Sequence, residues 1–296
     1  MDDVRITGVA YLNTRPLIEG LDRVKGVDLS LAVPAKIAGL VATGETDVGL
    51  ASLVDIASSG GDLVALPCGM IGCDGPTLTV RLFSDVAPSD IRTIAVDSES
   101  HTSVALATVL TRGWTGAAPT IEAFDAGSFV ARGLKGGPNH HRNGNPGADT
   151  RPETVLLIGD KVIDAERHDH GYRHEIDLGE AWRAETGLPF MYACWTARAD
   201  SAASSAVQKA VTLLDRQRRR NRLRIDAIAA KAAAAHGWPA PLAREYVGRL
   251  LRYDVTDAAR TGAELFCERV EQADAASGLD LRWHGLRSPP VAAATG

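Results

Sequence analysis

The sequence predicts an α/β fold: two lobes joined by two crossings and followed by C-terminal helices. Three observations predict it. Up to about residue 195, short apolar strands alternate with helical segments. Turn-rich breaks interrupt that alternation twice, at residues 84–90 and 188–196. From Ser201 onward the spacing of apolar residues is mostly helical. Lobe one is expected to hold residues 1–87 and 196–296, and lobe two residues 88–195. Alternating elements predict mostly parallel sheets, and small molecules bind between lobes of this kind.

In chain order, Val4-Arg5-Ile6-Thr7 alternates and runs on through Gly8-Val9-Ala10, which reads as a buried first strand. Asn13 and Thr14 fall at its end, with Arg15 beside them, and Pro16 fits the first turn of a helix running to about Leu21. An amide, a hydroxyl and free helix N–H groups thus meet at one point. That point is either an ordinary cap or a place for an anion. Residues 27–33 alternate apolar and polar up to Pro34, residues 35–43 read as a short helix stopped by Gly44, and residues 47–51 as a strand with Ser52 at its end. Two further strands, residues 63–70 and 77–83, flank the turn-rich Gly72-Cys73-Asp74-Gly75-Pro76.

After the first crossing, residues 91–96 start a new strand and residues 104–110 its helix. Between them Ser100, His101, Thr102 and Ser103 make a hydroxyl-rich helix start, suited to a carboxylate or to plain capping. Residues 136–152, rich in Gly, Asn, His and Pro, read as a surface insertion. Residues 155–158 are an apolar strand ending at Gly159 and Asp160, and ligands of open parallel sheets lie at such ends. Asp160 is open to two roles, general base or helix-capping carboxylate. Residues 177–185 read as a helix, broken at Gly187-Leu188-Pro189-Phe190, and residues 191–195 as a strand returning to lobe one. Residues 201–236, 242–251 and 257–276 carry helical spacing, and the tail from Ser288 is expected to fray.

Composition narrows the function. The 296 residues suffice for a sizeable core. A formal charge of −5 gives no reason to expect nucleic acid as a partner. No apolar run reaches about 18 residues, so no membrane span is expected. Met1-Asp2-Asp3 lacks the basic and apolar character of an export signal, and the expectation is a cytoplasmic protein. Cys68, Cys73, Cys194 and Cys267 form no C-x-x-C pair, which signals neither zinc nor a disulfide framework. His140, His141, His168, His170 and His174 invite a metal, and His170 and His174 stand at i, i+4. Gly171, however, follows His170 where a zinc-protease motif needs Glu, so no metal is expected. The basic run Arg216, Arg218, Arg219, Arg220, Arg222, Arg224 spreads around a helix and reads as a solvated face. Trp182 and Trp195 are expected in the core. Oligomeric state is left open.

Five stretches in order resemble one family. They are Tyr11-Leu12-Asn13-Thr14-Arg15-Pro16-Leu17, Gly44-Glu45-Thr46-Asp47-Val48-Gly49-Leu50, Ser100-His101-Thr102-Ser103-Val104, Leu156-Leu157-Ile158-Gly159-Asp160, and Asp177-Leu178-Gly179-Glu180-Ala181-Trp182 with Thr186-Gly187-Leu188-Pro189-Phe190. Together they resemble the chorismate dehydratase (MqnA) family of the futalosine route to menaquinone. The resemblance implies a two-lobed, type II periplasmic-binding-protein-like fold without the export signal. It implies removal of water from the small-molecule substrate chorismate to give 3-[(1-carboxyvinyl)oxy]benzoate, with no cofactor and no metal. The sister 1,4-dihydroxy-6-naphthoate synthase shares that fold but opens on a Pro-Asn-Asp segment that this chain lacks. A non-catalytic small-anion binder on the same fold is the other alternative.

By resemblance, Asn13 and Thr79 are the catalytic pair that orients the enolpyruvyl group, whose own carboxylate takes the proton. Thr14, Arg15, Ser52, Ser100, His101, Thr102, Ser103, Gly159 and Asp160 are expected to bind substrate. The residues themselves agree, for the motifs hold Asn, Thr and Ser where a conventional dehydratase would show Glu, His or Lys. Three departures stand out: Thr79 where the family usually has Ser, His101 where it usually has Arg, and the insertion at 136–152.

Overall fold

The computed structural model describes residues 3–97, 100–134, 151–168 and 170–285. Nearly all of the expected insertion at 136–152, and the tail from Ser288, lie outside the described residues. Strand β1 (Val4–Val9) buries every residue but Arg5. A 3-10 turn, Leu12–Thr14, leads into α1 (Arg15–Ile18), which takes Pro16 into its first turn, where proline's missing N–H costs nothing. Next come β2 (Val27–Ala32), α2 (Pro34–Ala42), β3 (Val48–Ser52), α3 (Leu53–Ala57) and β4 (Leu63–Cys73). Helix α2 sits so close on β3 that a Cβ on Gly49 would come within 2.6 Å of the Ile37 and Val41 side chains. Only glycine allows that approach.

The second lobe comprises β5 (Val80–Ser84), β6 (Thr93–Val96), α4 (His101–Thr115), β7 (Thr120–Ala123), α5 (Ala126–Ala131), β8 (Thr154–Ile158), α6 (Asp160–Glu166), β9 (His174–Asp177) and α7 (Leu178–Thr186). The chain then returns through β10 (Phe190–Arg198) and ends in α8 (Ser205–Arg222), α9 (Ile225–His236), α10 (Ala240–Glu245), a π-helical turn at Tyr246–Leu250, β11 (Leu251–Arg252) and α11 (Asp257–Gln272).

A six-stranded sheet runs β11-β4-β10-β3-β1-β2 and a five-stranded sheet β7-β6-β8-β5-β9. Neither is mostly parallel. β10 is antiparallel to both β3 and β4, and β5 to both β8 and β9. Each of these two strands has come across from the other lobe, so no crossover helix sets its direction. β5 belongs to the second sheet, which moves the first crossing from the expected 84–90 to residues 74–79 and takes the lobe boundary with it. The return lies between α7 and β10, at residues 187–189.

Other differences have local causes. β7 is exposed along its length and lacks the alternation of a half-buried strand, so the sequence pattern misses it. The helix expected over 201–236 is two, parted at Leu223, which is 88% exposed, and Arg224. The basic run lies on α8 and just beyond it. Arg218 pairs with Asp215 at 2.7 Å and also with Asp254, while Arg219 pairs with Asp215 at 2.9 Å. The opposite side of α8 buries Gln217 and Asn221. Asn221 Nδ2 donates to the carbonyls of Pro16 and Glu19 at 3.1 and 3.0 Å, and Gln217 Nε2 also donates to that of Glu19. A C-terminal helix thereby holds α1, which directly follows the turn that carries Asn13. Trp182 and Trp195 are fully buried. Trp182 packs edge-on against Phe190 and Phe266, joining α7, β10 and α11.

Candidate functional site

A cavity of about 310 Å³, ample for a small metabolite, opens between the sheets. Leu12, Ile71, Val80 and Leu251 give it apolar sides. Asn13, Ser52, Thr79, Ser100, Ser103, Gly159 and Asp160 line it.

On the lobe-one side, Asn13 Oδ1 accepts the Thr14 hydroxyl at 3.1 Å, which leaves the amide N–H groups for other partners. Thr79 Oγ1 lies 2.7 Å from the hydroxyl of Tyr246, and the Asn13 side chain faces that same hydroxyl. Thr79 ends the crossing segment, just before β5. Its neighbour Leu78 has φ of 70°, a left-handed conformation that costs a bulky residue about 1–3 kcal/mol. Asp177 holds that conformation in place. Its carboxylate accepts from the N–H of Thr77 at 3.0 Å and of Leu78 at 2.7 Å, and also caps α7 through the N–H of Gly179 and Glu180. One acid thus fixes both the crossing and the helix next to it.

On the lobe-two side, Ser100 and Ser103 stand one helical turn apart, with their hydroxyls 3.0 Å from each other. Gly159 takes φ 66° and ψ −137°, a conformation essentially confined to glycine, and its N–H donates to the Thr79 carbonyl at 2.8 Å. Lys161 also lines the cavity, held 2.6 Å from Asp97. Asp160 does not cap α6. Its carboxylate accepts from Trp238 Nε1 at 2.7 Å and lies 3.9 Å from His236.

Four residues expected to bind substrate do not line the cavity. Thr14 is buried behind Asn13, and Arg15 follows it around the turn. His101 and Thr102 share a helix turn with Ser100 and Ser103, but residues i and i+3 share a face while those between them turn aside. Thr102 is buried against lobe one, with Oγ1 2.8 Å from Ser52 Oγ and accepting the Val54 N–H at 3.2 Å. His101 Nδ1 sits 2.6 Å from Asp55 Oδ1. This face of α4 joins the lobes.

Tyr192 and Tyr246 of the cavity wall are held neutral. Burial pushes the Tyr246 and Tyr192 hydroxyls well above their ordinary range, and burial, with help from nearby Asp177, pushes the Cys73 thiol beside Tyr192 up to about 12. They are donors at neutral pH. Among the described residues, no group of three or more His, Cys, Asp or Glu is placed to hold a metal ion. His140 and His141 lie outside the described residues. His170 packs edge-on against Phe83. Among the described residues, no helix is long and apolar enough to cross a membrane.

A family model for menaquinone biosynthesis matches residues 4–272. The chain belongs to that family. A chorismate dehydratase from Thermus thermophilus is 28% identical over 275 residues, covering 88% of this chain and 92% of that protein. Solved structures show the periplasmic-binding-protein-like fold. An Archaeoglobus fulgidus protein superposes with a TM-score of 0.66 at 14% identity, over 92% of this chain and 98% of its own. The periplasmic aliphatic sulphonate binding protein SsuA from Escherichia coli gives 0.59 at 14% identity, over 95% and 96%.

In this menaquinone-biosynthesis family member, the C-terminal helices also contribute to the cavity. Trp238, Tyr246 and Leu251 line the cavity although they lie far beyond the family-like motifs. Tyr246 and Leu251 fall in a stretch that reads only as helix, Trp238 in the break before it, and no local signal marks any of them. Thr77 and Tyr192, in segments that read as strands, also line the cavity with no local signal. Lys161 was in reach, since it directly follows Asp160 at the strand end.

Proposed function

We propose that this protein dehydrates chorismate to 3-[(1-carboxyvinyl)oxy]benzoate and water. The observation that carries the reading is the meeting of Asn13 and Thr79 on one wall of the cavity, around the neutral hydroxyl of Tyr246. Membership of the menaquinone-biosynthesis family and likeness to a chorismate dehydratase support it.

Dehydration takes a proton from the ring carbon that bears the ether and expels the hydroxyl from the neighbouring carbon. The ring becomes aromatic, which supplies the driving force, so the protein's task is orientation. Asn13 and Thr79 hold the enolpyruvyl group. Ser100, Ser103 and Lys161, across the cavity, are set to receive the ring carboxylate through charge-assisted hydrogen bonds. The apolar sides exclude water from the reacting carbons. With Tyr192 and Tyr246 held neutral and Asp160 engaged by Trp238, the substrate's own enolpyruvyl carboxylate is left to remove the ring proton. The proton then leaves with the departing hydroxyl as water.

The test is to incubate purified protein with chorismate and follow the loss of one water and the rise of an aromatic product by mass spectrometry and absorbance. Turnover is expected to persist in EDTA, and loss in EDTA with recovery on adding zinc would contradict the scheme. Chorismate that binds but stays intact would make the protein a binder. Chorismate that neither binds nor reacts overturns the reading.

A further inference from the structure

We infer that Tyr246 is a positioning residue: its hydroxyl gives its proton to Thr79 Oγ1, so that the Thr79 hydroxyl is turned outward to donate to the substrate. The inference rests on the proposed function and adds to it a residue outside the family-like motifs. Three observations carry it. First, the Tyr246 hydroxyl is buried, and the hydrogen-bond partner the structure gives it is Thr79 Oγ1, 2.7 Å away. Second, a neutral phenol has one proton to give, and Thr79 Oγ1 stands where it can take it. Thr79 then has its own proton left to give, and the cavity lies in front of it. Each bond in such a chain polarises the next.

Third, the Tyr246 ring is held from behind. It stacks on Trp238 with ring centroids 5.2 Å apart and planes 23° from parallel, and Trp238 is anchored by its N–H to Asp160 of lobe two. Tyr246 opens the π-helical turn Tyr246–Leu250, a widened helix of the kind found at functional sites. Anchor, ring and hydroxyl therefore hold one direction, set by lobe two and by the C-terminal helices together. A tyrosine serving the core alone would need the stack but not the aligned hydroxyl.

The experiment is a double-mutant cycle on turnover of chorismate. Tyr246→Phe keeps the ring and its stack. It is expected to lower kcat roughly tenfold, the worth of one well-placed hydrogen bond, with KM within about a factor of two. In a Thr79→Val background the same change is expected to have no further effect, because the group it acts through is gone. In a Thr79→Ser background, which keeps a hydroxyl, it is expected to cost roughly tenfold again. Equal losses in all three backgrounds, or no loss in any, would overturn the inference. So would a Tyr246→Phe protein that fails to fold by circular dichroism, since the hydroxyl would then serve stability. If the wild type binds chorismate without converting it, the proposed dehydration fails, and the same cycle read on Kd by calorimetry decides the inference alone. A wild type that neither binds nor converts chorismate overturns both.

Discussion

On the lobe-two wall of the cavity, Ser100 and Ser103 come from a single turn of α4 and hydrogen-bond each other. On the lobe-one wall, Asn13, Thr79 and Tyr246 come from the end of the first strand, the crossing between lobes and the C-terminal helices. Both walls offer neutral donors to a ligand. The first needs only a helix to form. The second needs two lobe crossings, a left-handed Leu78 and a π-helical turn, all in register. Changes on the lobe-one wall should therefore act on turnover or stability as a unit, and changes on the lobe-two wall should act singly and mildly.

The largest effect is expected from Asn13→Asp. The new carboxylate can only accept, so it loses both amide N–H donors and faces the substrate's carboxylate. Turnover should fall roughly 100-fold or more, with the thermal midpoint nearly unchanged. Near-normal kcat on a folded preparation would break the contrast between the walls.

Asp177→Ala comes next. It removes the acceptor for Thr77, Leu78, Gly179 and Glu180 N–H groups at once. Urea denaturation should show a loss of about 2–3 kcal/mol. Because Leu78 is then free to relax, kcat should fall in the fraction that remains folded. A stability loss with kcat intact would show that the strained residue does not position Thr79.

Ser100→Ala and Ser103→Ala are expected to raise KM about three- to fivefold each and to change kcat little. A loss in kcat as large as that of Asn13→Asp would show that the two walls are energetically one.

The smallest effect lies at the far end of β1, where Arg5 meets Asp47 at 2.7 Å. Burial pushes the Asp47 carboxyl up, but the hydrogen bonds and charge of Arg5 outweigh it and hold its pKa below the ordinary value. A lowered folded-state pKa contributes stability above the unfolded value of about 3.9, and that contribution is lost as pH falls through the folded value. With the Arg5 side chain 45% exposed, the pair is worth under about 1 kcal/mol. Asp47→Asn should lower stability slightly at pH 7, and the gap from wild type should close below about pH 4. Turnover should be untouched at either pH where the protein is folded. A gap that persists in acid would assign the loss to packing.

The alternation of strands and helices, the C-terminal helices and the residues at strand ends and helix starts are legible in the chain before it folds. These follow from local periodicity and from the unsatisfied N–H groups that every helix start carries. Asn13, Ser52, Ser100, Ser103, Gly159 and Asp160 were legible for that reason, and all line the cavity. Only the tertiary structure decided which way each side chain points. Thr102 turned to join the lobes and Asp160 turned to hold Trp238, because the neighbours that turn them are distant in the chain. It also placed the first crossing at 74–79, since the bonds that assign β5 to the second sheet are made to β8 and β9. Tyr246 belongs to the same class: nothing around it in sequence marks a tyrosine that meets Thr79 across the cavity wall, and only the packed C-terminal helices bring its hydroxyl there.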